Sequence, residues 1–479
     1  MNHDAGEQAM PRAASLARMI HHLPWAALLA LGTITFFALP WGMGQGVPGI
    51  LAVGAALLAV TLALHRWAPR TCSPPAHARR WLVIILILGC LVRLAYVLAV
   101  PPIQLSDSAK YVELATGLLK GEGYHELVGS HELRAFRPPG YPMLLAAVMA
   151  IFGNTWWAPT LLSLLCFVLT ALVLYDLTKR LSGGAAAVAA IAVFASWPSG
   201  IMSSGLATTE PVSLLLLLVV AWGCVRSRMG PSRSRWWLVT GAATGLGALV
   251  RPSLVPLPAL LFALALLDRP AWRRSLRHAA LASVVAMVCV CPWTLRNYII
   301  FDELVIVSTN GGDIFYRANN PVATGGWSRR GERDFSYLLS DEVEWNRANM
   351  AAGKAWIREN PLAFLILGIR KIVISFADDS TGAYLSLNRA HHLTGNMYAA
   401  ALTLSNVWWV GVWVTTLIAL VRHRSRIVGL EGTATLAWLA VVLPFVHAIF
   451  ESQPRYHMPM VGVLLCLSAM IAYTPATKA

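Results

Sequence analysis

Apolar residues along this chain fall into long uninterrupted blocks, without the short-period stripes of a water-soluble core. A helix crossing the hydrocarbon core of a bilayer needs about 20 apolar residues, in a range of roughly 17–25. Blocks at 23–40, 48–65, 81–100, 157–178, 184–202, 206–225, 236–250, 253–267, 279–299, 398–421, 432–450 and 457–473 therefore predict about twelve membrane helices. Two of them, 236–250 and 253–267, are short and meet at Arg251-Pro252, which predicts a tight helical pair. The fold class that follows is an all-α polytopic membrane protein.

Two long stretches between the blocks, 101–156 and 300–397, have a different pattern. Within the first, Val112, Ala115 and Leu119 share one face of a helix predicted over Ser106–Lys120, capped by Ser106 and ended by Gly121–Gly123. The apolar run Tyr141–Phe152 is too short to cross and predicts an interfacial or re-entrant helix. In the second stretch, Trp345, Ala348, Ala352 and Trp356 form a stripe on a helix over Asp341–Asn360, opened by acids and stopped by Pro361. A further apolar run, Leu362–Phe376, again predicts an interfacial helix, with Arg370-Lys371 at headgroup level. Both stretches read as a folded cap on the membrane.

Composition sharpens this picture. Only 13% of the 479 residues are charged, while 57% are hydrophobic and mean hydropathy is +0.59. A soluble protein carries about 25% charged residues, so a cytosolic enzyme, a disordered chain and a nucleic-acid binder are excluded. The net charge of +15 has a location. Under strict alternation of the spans, one face holds 20 Lys/Arg and 5 Asp/Glu, leaving 18 of each on the other. The excess thus sits on one side, which by the positive-inside rule is cytoplasmic and includes both termini. The stretches 101–156 and 300–397 then face outward. None of the seven cysteines falls in an outer stretch, so no disulfide framework is expected. Cys289 and Cys291 project to nearly opposite faces of one helix and make a poor metal pair. The first apolar run lacks a signal-peptide cleavage pattern.

Ionisable residues in or beside membrane helices are expensive and are candidates for function. Arg93, Glu210, Arg251, Arg296 and Arg455 all fall toward the outer ends of their spans. A secondary transporter places its site near the midplane, between related halves, and no internal repeat is visible. Asp107 opens a helix directly after a span, where the helix dipole favours its ionised form; the same acid could simply complete the helix. Arg137-Pro-Pro-Gly holds a guanidinium at the start of an interfacial helix, suited to bidentate phosphate binding or to membrane anchoring. Thr209-Glu210-Pro211, Pro292 to Asn297 and Glu451-Ser-Gln-Pro-Arg455-Tyr456 each put a charge at a span end. The segments around Ser308–Gly312 and Asn319-Asn320-Pro321 are turn-rich, with amides that would suit a sugar. Asp378-Asp379 and His391-His392 lack ligand spacing, and no metal ligand is assigned.

Taken in order, Asp107 and Tyr111, Gly123-Tyr124, Arg137-Pro-Pro-Gly-Tyr-Pro142, Phe152-Gly153, Thr209-Glu210-Pro211, Arg251-Pro252, Pro292 to Asn297, Asn319-Asn320-Pro321 and Arg455-Tyr456 resemble the GT-C glycosyltransferases that use polyprenyl-phosphate sugars. More narrowly, they resemble the bacterial branch of the protein O-mannosyltransferase and aminoarabinose transferase superfamily. The resemblance runs over roughly 81–470. It implies a GT-C-type fold with a membrane core over 81–299, an outer region over 300–397, C-terminal helices over 398–479, and an extra N-terminal tail and helix pair over 1–80. It also implies that the Asp107 carboxylate lies in the active site, as the base of an inverting displacement. Arg93, Tyr111, Arg137, Glu210, Arg251, Arg296, Asn297, Asn319, Asn320, Arg455 and Tyr456 are then expected to bind donor phosphate or substrate. Two departures stand out: Ser108 where many relatives have a second acid, and Phe136-Arg137 where aminoarabinose transferases have an acid and a lysine.

The implied partners are a polyprenyl-phosphate-linked sugar donor, an envelope glycan, lipid or protein acceptor, and the bilayer, with no nucleic acid. A departing phosphate monoester has its second pKa near ~6, so the leaving group needs no acid. The acceptor hydroxyl needs a base, and the phosphate needs cations as charge builds on it. A divalent metal is compatible with this reading and not required by it. The localisation implied is a bacterial inner membrane with the site on the outer face. A lipid-linked saccharide transporter and a non-catalytic envelope-assembly protein are the competing classes.

Overall fold

The computed structural model describes residues 23–33, 35, 75–229, 233–267, 271–328, 335–422 and 433–472. The expected span at 48–65 and Cys72 lie outside these residues. The described chain is overwhelmingly helical. In order it forms α1 (Leu23–Thr33), α2 (Pro75–Ala99), α3 (Asp107–Lys120), a hairpin of β1 (Glu126–Val128) and β2 (His131–Leu133), α4 (Gly140–Phe152), α5 (Ala158–Ser182) and α6 (Gly184–Ala195). Then follow α7 (Glu210–Met229), α8 (Arg233–Val250), α9 (Leu257–Leu267), α10 (Trp272–Phe301), α11 (Gly311–Ala318), α12 (Glu342–Glu359), α13 (Pro361–Ala377), α14 (Gly395–Arg422), α15 (Thr433–Ile449) and α16 (Val461–Ser468).

Among the described residues, α2, α5, α7, α10 and α14 are each long and apolar enough to cross a membrane. The α12–α13 pair passes the same test only as one span bent by 111°. The chain is a multi-pass membrane protein; the described residues supply five such helices, or six with the bent pair, and do not confirm the expected count of about twelve. The block at 184–202 is interrupted at Ser196–Trp197, ahead of a one-turn helix at Pro198–Met202. The block at 457–473 opens on a 3-10 segment, Pro454–Met460, that contains two prolines. Proline lacks the N–H an α-helix interior needs, which accounts for both breaks. The pair at Arg251-Pro252 is as expected, with a single 3-10 turn, Pro252–Leu254, between α8 and α9.

Small residues let the helices close up, as they do where lipid removes the hydrophobic drive between them. Gly241 and Gly245 on α8 lie against the Ala282 and Ala286 carbonyls of α10, closer than any Cβ would allow. The centre is aromatic. Trp409 and Trp413 of α14 pack on Phe376 of α13, all fully buried. On α2, by contrast, Val83, Ile87, Leu88, Leu91 and Leu98 are exposed, an apolar surface that suits lipid.

The stretches 101–156 and 300–397 are joined by hydrogen bonds. Glu342 at the start of α12 accepts from the Arg134 and Ala135 amides, at 2.7 and 3.1 Å, and from the Thr309 hydroxyl at 2.8 Å. The Thr309 amide donates to Ala135 O. Helix α12 begins as expected, with Asp341 as N-cap accepting from the Val343 and Glu344 amides. Helix α3 does not. Ser106 makes no cap hydrogen bond and has φ of 55°; Ser108 closes the turn instead, accepting from Leu105 N and donating to Leu105 O. Its end is as read, with Gly121 left-handed at φ 75°.

Candidate functional site

Three helix starts and one helix end converge on a single charged cluster. Asp107 is the first residue of α3. The approach to it is tied down by Gln104, whose amide donates to Gly205 O and accepts from Ala207 N. Gly205 packs so closely on Pro102 that a Cβ would not fit. This brings the start of α3 beside the start of α7, where Glu210 is the first helical residue. Gly140 plays the matching part for Arg137: an added Cβ would lie 2.8 Å from the Val250 amide nitrogen. The Arg137-Pro-Pro-Gly segment is thereby seated on the last turn of α8, next to Arg251. The Tyr124 hydroxyl reaches the Arg137 and Pro138 carbonyls, at 3.0 Å each.

Within this frame Arg137 Nη1 donates to Asp107 Oδ1 at 2.8 Å, and Arg455 Nη2 to Asp107 Oδ2 at 3.1 Å. Each arginine also faces a second carboxylate. Arg137 Nε donates to Glu126 Oε2 at 3.0 Å, and Arg455 Nε lies 3.7 Å from Glu210 Oε1. Arg251 Nη1 meets the same Glu210 oxygen at 3.4 Å. Three carboxylates and three guanidiniums therefore form one chain, neutral in sum. Its aromatic lining is Tyr111, 5.6 Å beneath the Arg137 guanidinium, and Tyr456, 4.8 Å from that of Arg251.

The electrostatics follow from these contacts. Burial works against the Asp107 anion, but Arg455 and Arg137 outweigh it and hold the carboxyl below its usual range. Burial, joined by the Asp107 charge, pushes the Tyr111 phenol up to about 12, so it stays protonated. Glu126 differs from Asp107. It is 2% exposed, one of its oxygens has no hydrogen-bond partner, and burial raises its carboxyl despite Arg137. The Asp107 side chain is 37% exposed and so is open to a reactant.

A cavity of about 910 Å³ meets the cluster at Arg251 and Tyr456. It runs between α12, α15 and the 303–311 loop, past apolar groups such as Val305, Val307, Ile314, Met350 and Phe450. Arg347, Lys354 and Arg358 of α12 also line it.

Of the residues expected in the site, Asp107, Tyr111, Arg137, Glu210, Arg251, Arg455 and Tyr456 come together. The others do not. Arg93 is buried between spans, where Nη1 donates to Gly89 O and Ala195 O and the guanidinium covers Phe167 at 3.8 Å; it clamps α2 to α6. Arg296 reaches the Arg134 and Tyr124 carbonyls, at 2.7 and 3.0 Å, and so fastens the hairpin. Asn297 donates to Val305 O, Asn319 to Phe315 O and Ile449 O, and Asn320 to Tyr316 O. These amides close turns. They leave Arg296 and the three asparagines as supports, one step removed from the cluster. Asp378 accepts from Ser380, Asp379 from Trp197, and His391 contacts Pro101 O. Among the described residues no three His, Cys, Asp or Glu side chains gather as a metal would require.

Glu126 was absent from the sequence-derived site. It sits on a three-residue strand, where no helix periodicity marks it, and the one signal was its place next to Leu127 and Val128 in a short β pattern. Buried supports went unread too. Arg317 bonds Asp313 and Glu451 at 2.6 Å each, bracing the turn that carries Arg455. Lys371 is fully buried and donates to Asn319 Oδ1 at 2.8 Å.

Comparison with known proteins bears on the middle of this frame. Residues 136–295 match the dolichyl-phosphate-mannose-protein mannosyltransferase family. That stretch contains Arg137, Glu210 and Arg251, and excludes Asp107 and Arg455. The likeness to GT-C glycosyltransferases read from the motifs is borne out there. Over 204 residues the chain is 30% identical to an undecaprenyl phosphate-α-4-amino-4-deoxy-L-arabinose arabinosyl transferase of Pseudomonas aeruginosa strain LESB58, covering 40% of this chain and 35% of the relative. The enzyme of the same name from P. paraeruginosa strain DSM 24068 / PA7 is 29% identical over the same length. The matched segment thus spans about a third of these curated relatives. Among solved structures, ArnT from Cupriavidus metallidurans bound to undecaprenyl phosphate aligns with a TM-score of 0.45 at 15% identity, covering 82% of this chain and 77% of that one. The archaeal oligosaccharyltransferase AglB from Archaeoglobus fulgidus, in complex with an inhibitory peptide and a dolichol-phosphate, aligns with a TM-score of 0.48 at 15% identity, covering 82% of this chain and 50% of that one.

Proposed function

We propose that this protein is a membrane glycosyltransferase that moves a sugar from a polyprenyl-phosphate donor to an acceptor on the outer face of a bacterial inner membrane. The observation that carries the reading is the Asp107 carboxylate held between Arg137 and Arg455, in a cluster whose Arg251 and Tyr456 line a largely apolar cavity. An apolar cavity suits a prenyl chain, and guanidinium edges suit its phosphate. The relatives that match in sequence are named as undecaprenyl-phosphate aminoarabinose transferases, which supports a lipid-phosphate donor. The charge asymmetry of the loops supports cytoplasmic termini and an outward-facing cluster.

Chemically, the acceptor hydroxyl attacks the anomeric carbon while the bond from that carbon to the phosphate oxygen breaks. The electron pair leaves with the lipid phosphate, the hydroxyl proton passes to Asp107, and the anomeric centre inverts. In the resting cluster Asp107 is a weak base, because two guanidiniums lower its proton affinity. A donor phosphate that draws Arg137 and Arg455 toward itself releases the carboxylate to act. The same guanidiniums then hold the growing charge on the leaving phosphate, and no metal is required for the step.

Mass spectrometry of envelope glycolipids, glycans and proteins from cells with and without the gene tests this directly. A glycan present only with wild type, and absent with Asp107→Asn, is expected. Reconstituted protein that carries a lipid-linked saccharide across a bilayer with no transfer would make it a transporter.

A further inference from the structure

Glu126 is the most deeply buried carboxylate of the cluster, at 2% exposed against 6% for Glu210, and its two oxygens are unequal. Oε2 accepts from Arg137 Nε at 3.0 Å, whereas Oε1 is buried with no hydrogen-bond partner. The charged and titratable groups around it are few. Arg137 faces it from the segment ahead of α4. From α3 come Lys110, already bonded to Glu113 and to Leu127 O, and Glu113 itself. Tyr124 lies on its own strand side, held protonated by burial. The resting cluster is neutral, so a lipid phosphate dianion arriving among its arginines leaves a net charge of −2. In a poorly solvated site that excess is costly. A proton relieves it most readily on a carboxyl that burial already disposes toward the neutral form, and Glu126 is raised for that reason. Asp107 is held low by two arginines at rest and, with its side chain 37% exposed, has water to support its anion once they turn to the phosphate; Glu210 still faces Arg251.

Resting on the donor-site reading above, we propose that Glu126 positions Arg137 and takes up one proton from solvent on Oε1 when a lipid phosphate dianion binds. The carboxylate becomes a carboxylic acid. Oε2 remains an acceptor for Arg137 Nε, so the guanidinium stays in place while its Nη edge turns from Asp107 to the phosphate. Glu126 thus couples donor-phosphate binding to a proton without touching the reacting atoms.

The test uses the purified full chain in lipid nanodiscs and undecaprenyl phosphate as probe. Above pH 7.5 the probe is a dianion and does not itself titrate appreciably, since its second pKa is near ~6. Titration calorimetry in two buffers of different ionisation enthalpy reads the protons exchanged. Wild type is expected to take up close to one proton per lipid, and its affinity to fall by up to about tenfold per pH unit above neutrality. Glu126→Gln, which keeps an acceptor for Arg137, is expected to bind with little proton uptake and a flat pH profile. The wild-type measurement stands alone should that variant fold poorly. Wild-type binding with no buffer-dependent heat, or a Glu126→Gln protein that takes up the same proton, overturns the inference and leaves the donor reading intact. A wild-type chain that binds no lipid phosphate overturns both.

Discussion

Replacing Asp107 by asparagine keeps the shape of the side chain and removes the proton acceptor. The amide has one oxygen where the carboxylate has two, so only one of the contacts to Arg137 (2.8 Å) and Arg455 (3.1 Å) survives as a hydrogen bond. The other guanidinium then faces an N–H₂ group. Neither arginine is left without a counter-charge, because Glu126 remains on Arg137 and Glu210 beside Arg455. The cluster changes from neutral to +1, which does not disfavour an incoming phosphate. General-base assistance is worth typically 10²–10⁴-fold, or about 3–5 kcal/mol of barrier. Transfer should therefore fall by at least about a hundredfold. Affinity for undecaprenyl phosphate should stay within about tenfold, roughly 1.4 kcal/mol, or become tighter. The assay pairs turnover of a lipid-phosphate sugar with lipid binding to the same preparation. Unchanged turnover would remove Asp107 as the base. Loss of binding in step with turnover would make it an organiser of the arginines.

Arg137→Lys keeps the charge but cannot bridge Glu126 and Asp107 with one planar fork, so turnover should drop well beyond the usual cost of a conservative change. It should also make thermal stability more sensitive to pH. Loss of the Arg137 contact raises the Glu126 carboxyl further above its unfolded value, so the folded state binds the extra proton. The resulting penalty is present above the folded pKa and is relieved as pH falls through it. Thermal scans at pH 5.5 and 8 should show the larger loss at pH 8, and equal losses would refute the coupling. Ser130→Cys and Ser340→Cys, both exposed positions, should label with an impermeant thiol reagent in intact cells lacking other reactive cysteines. Protection of either one would reverse the orientation. Gly241→Val forces a side chain against the Ala282 carbonyl and should cost about 1–3 kcal/mol of stability; a neutral result in thermal unfolding would mean that α8 and α10 can separate.

What was legible in the sequence divides along a physical line. Hydrophobic block length marked the long helices α2, α5, α7, α10 and α14, apolar runs marked α4 and α13, and helix periodicity marked α3 and α12, because all these signals are local. The position of Arg137 was legible for the same reason, since Pro-Pro-Gly carries its geometry in adjacent residues. The partners were not. Asp107 and Arg455 are 348 positions apart and meet at 3.1 Å, a contact set by how α3, α7 and the 3-10 segment Pro454–Met460 pack. Proximity to a span end was too coarse to separate Arg455 from Arg93, although one closes the cluster and the other clamps two helices. The difference lies in what each guanidinium faces: carboxylates for Arg137, Arg251 and Arg455, and backbone carbonyls for Arg93 and Arg296. An arginine on carbonyls completes a structure whose donors are already spent. A carboxylate partner alone does not mark a substrate cation, since Arg317 sits on Asp313 and Glu451 and braces a turn. On the proposed donor-site reading, it is the sharing of Asp107 and Glu210 among Arg137, Arg455 and Arg251 that gives an incoming phosphate a charge to take over.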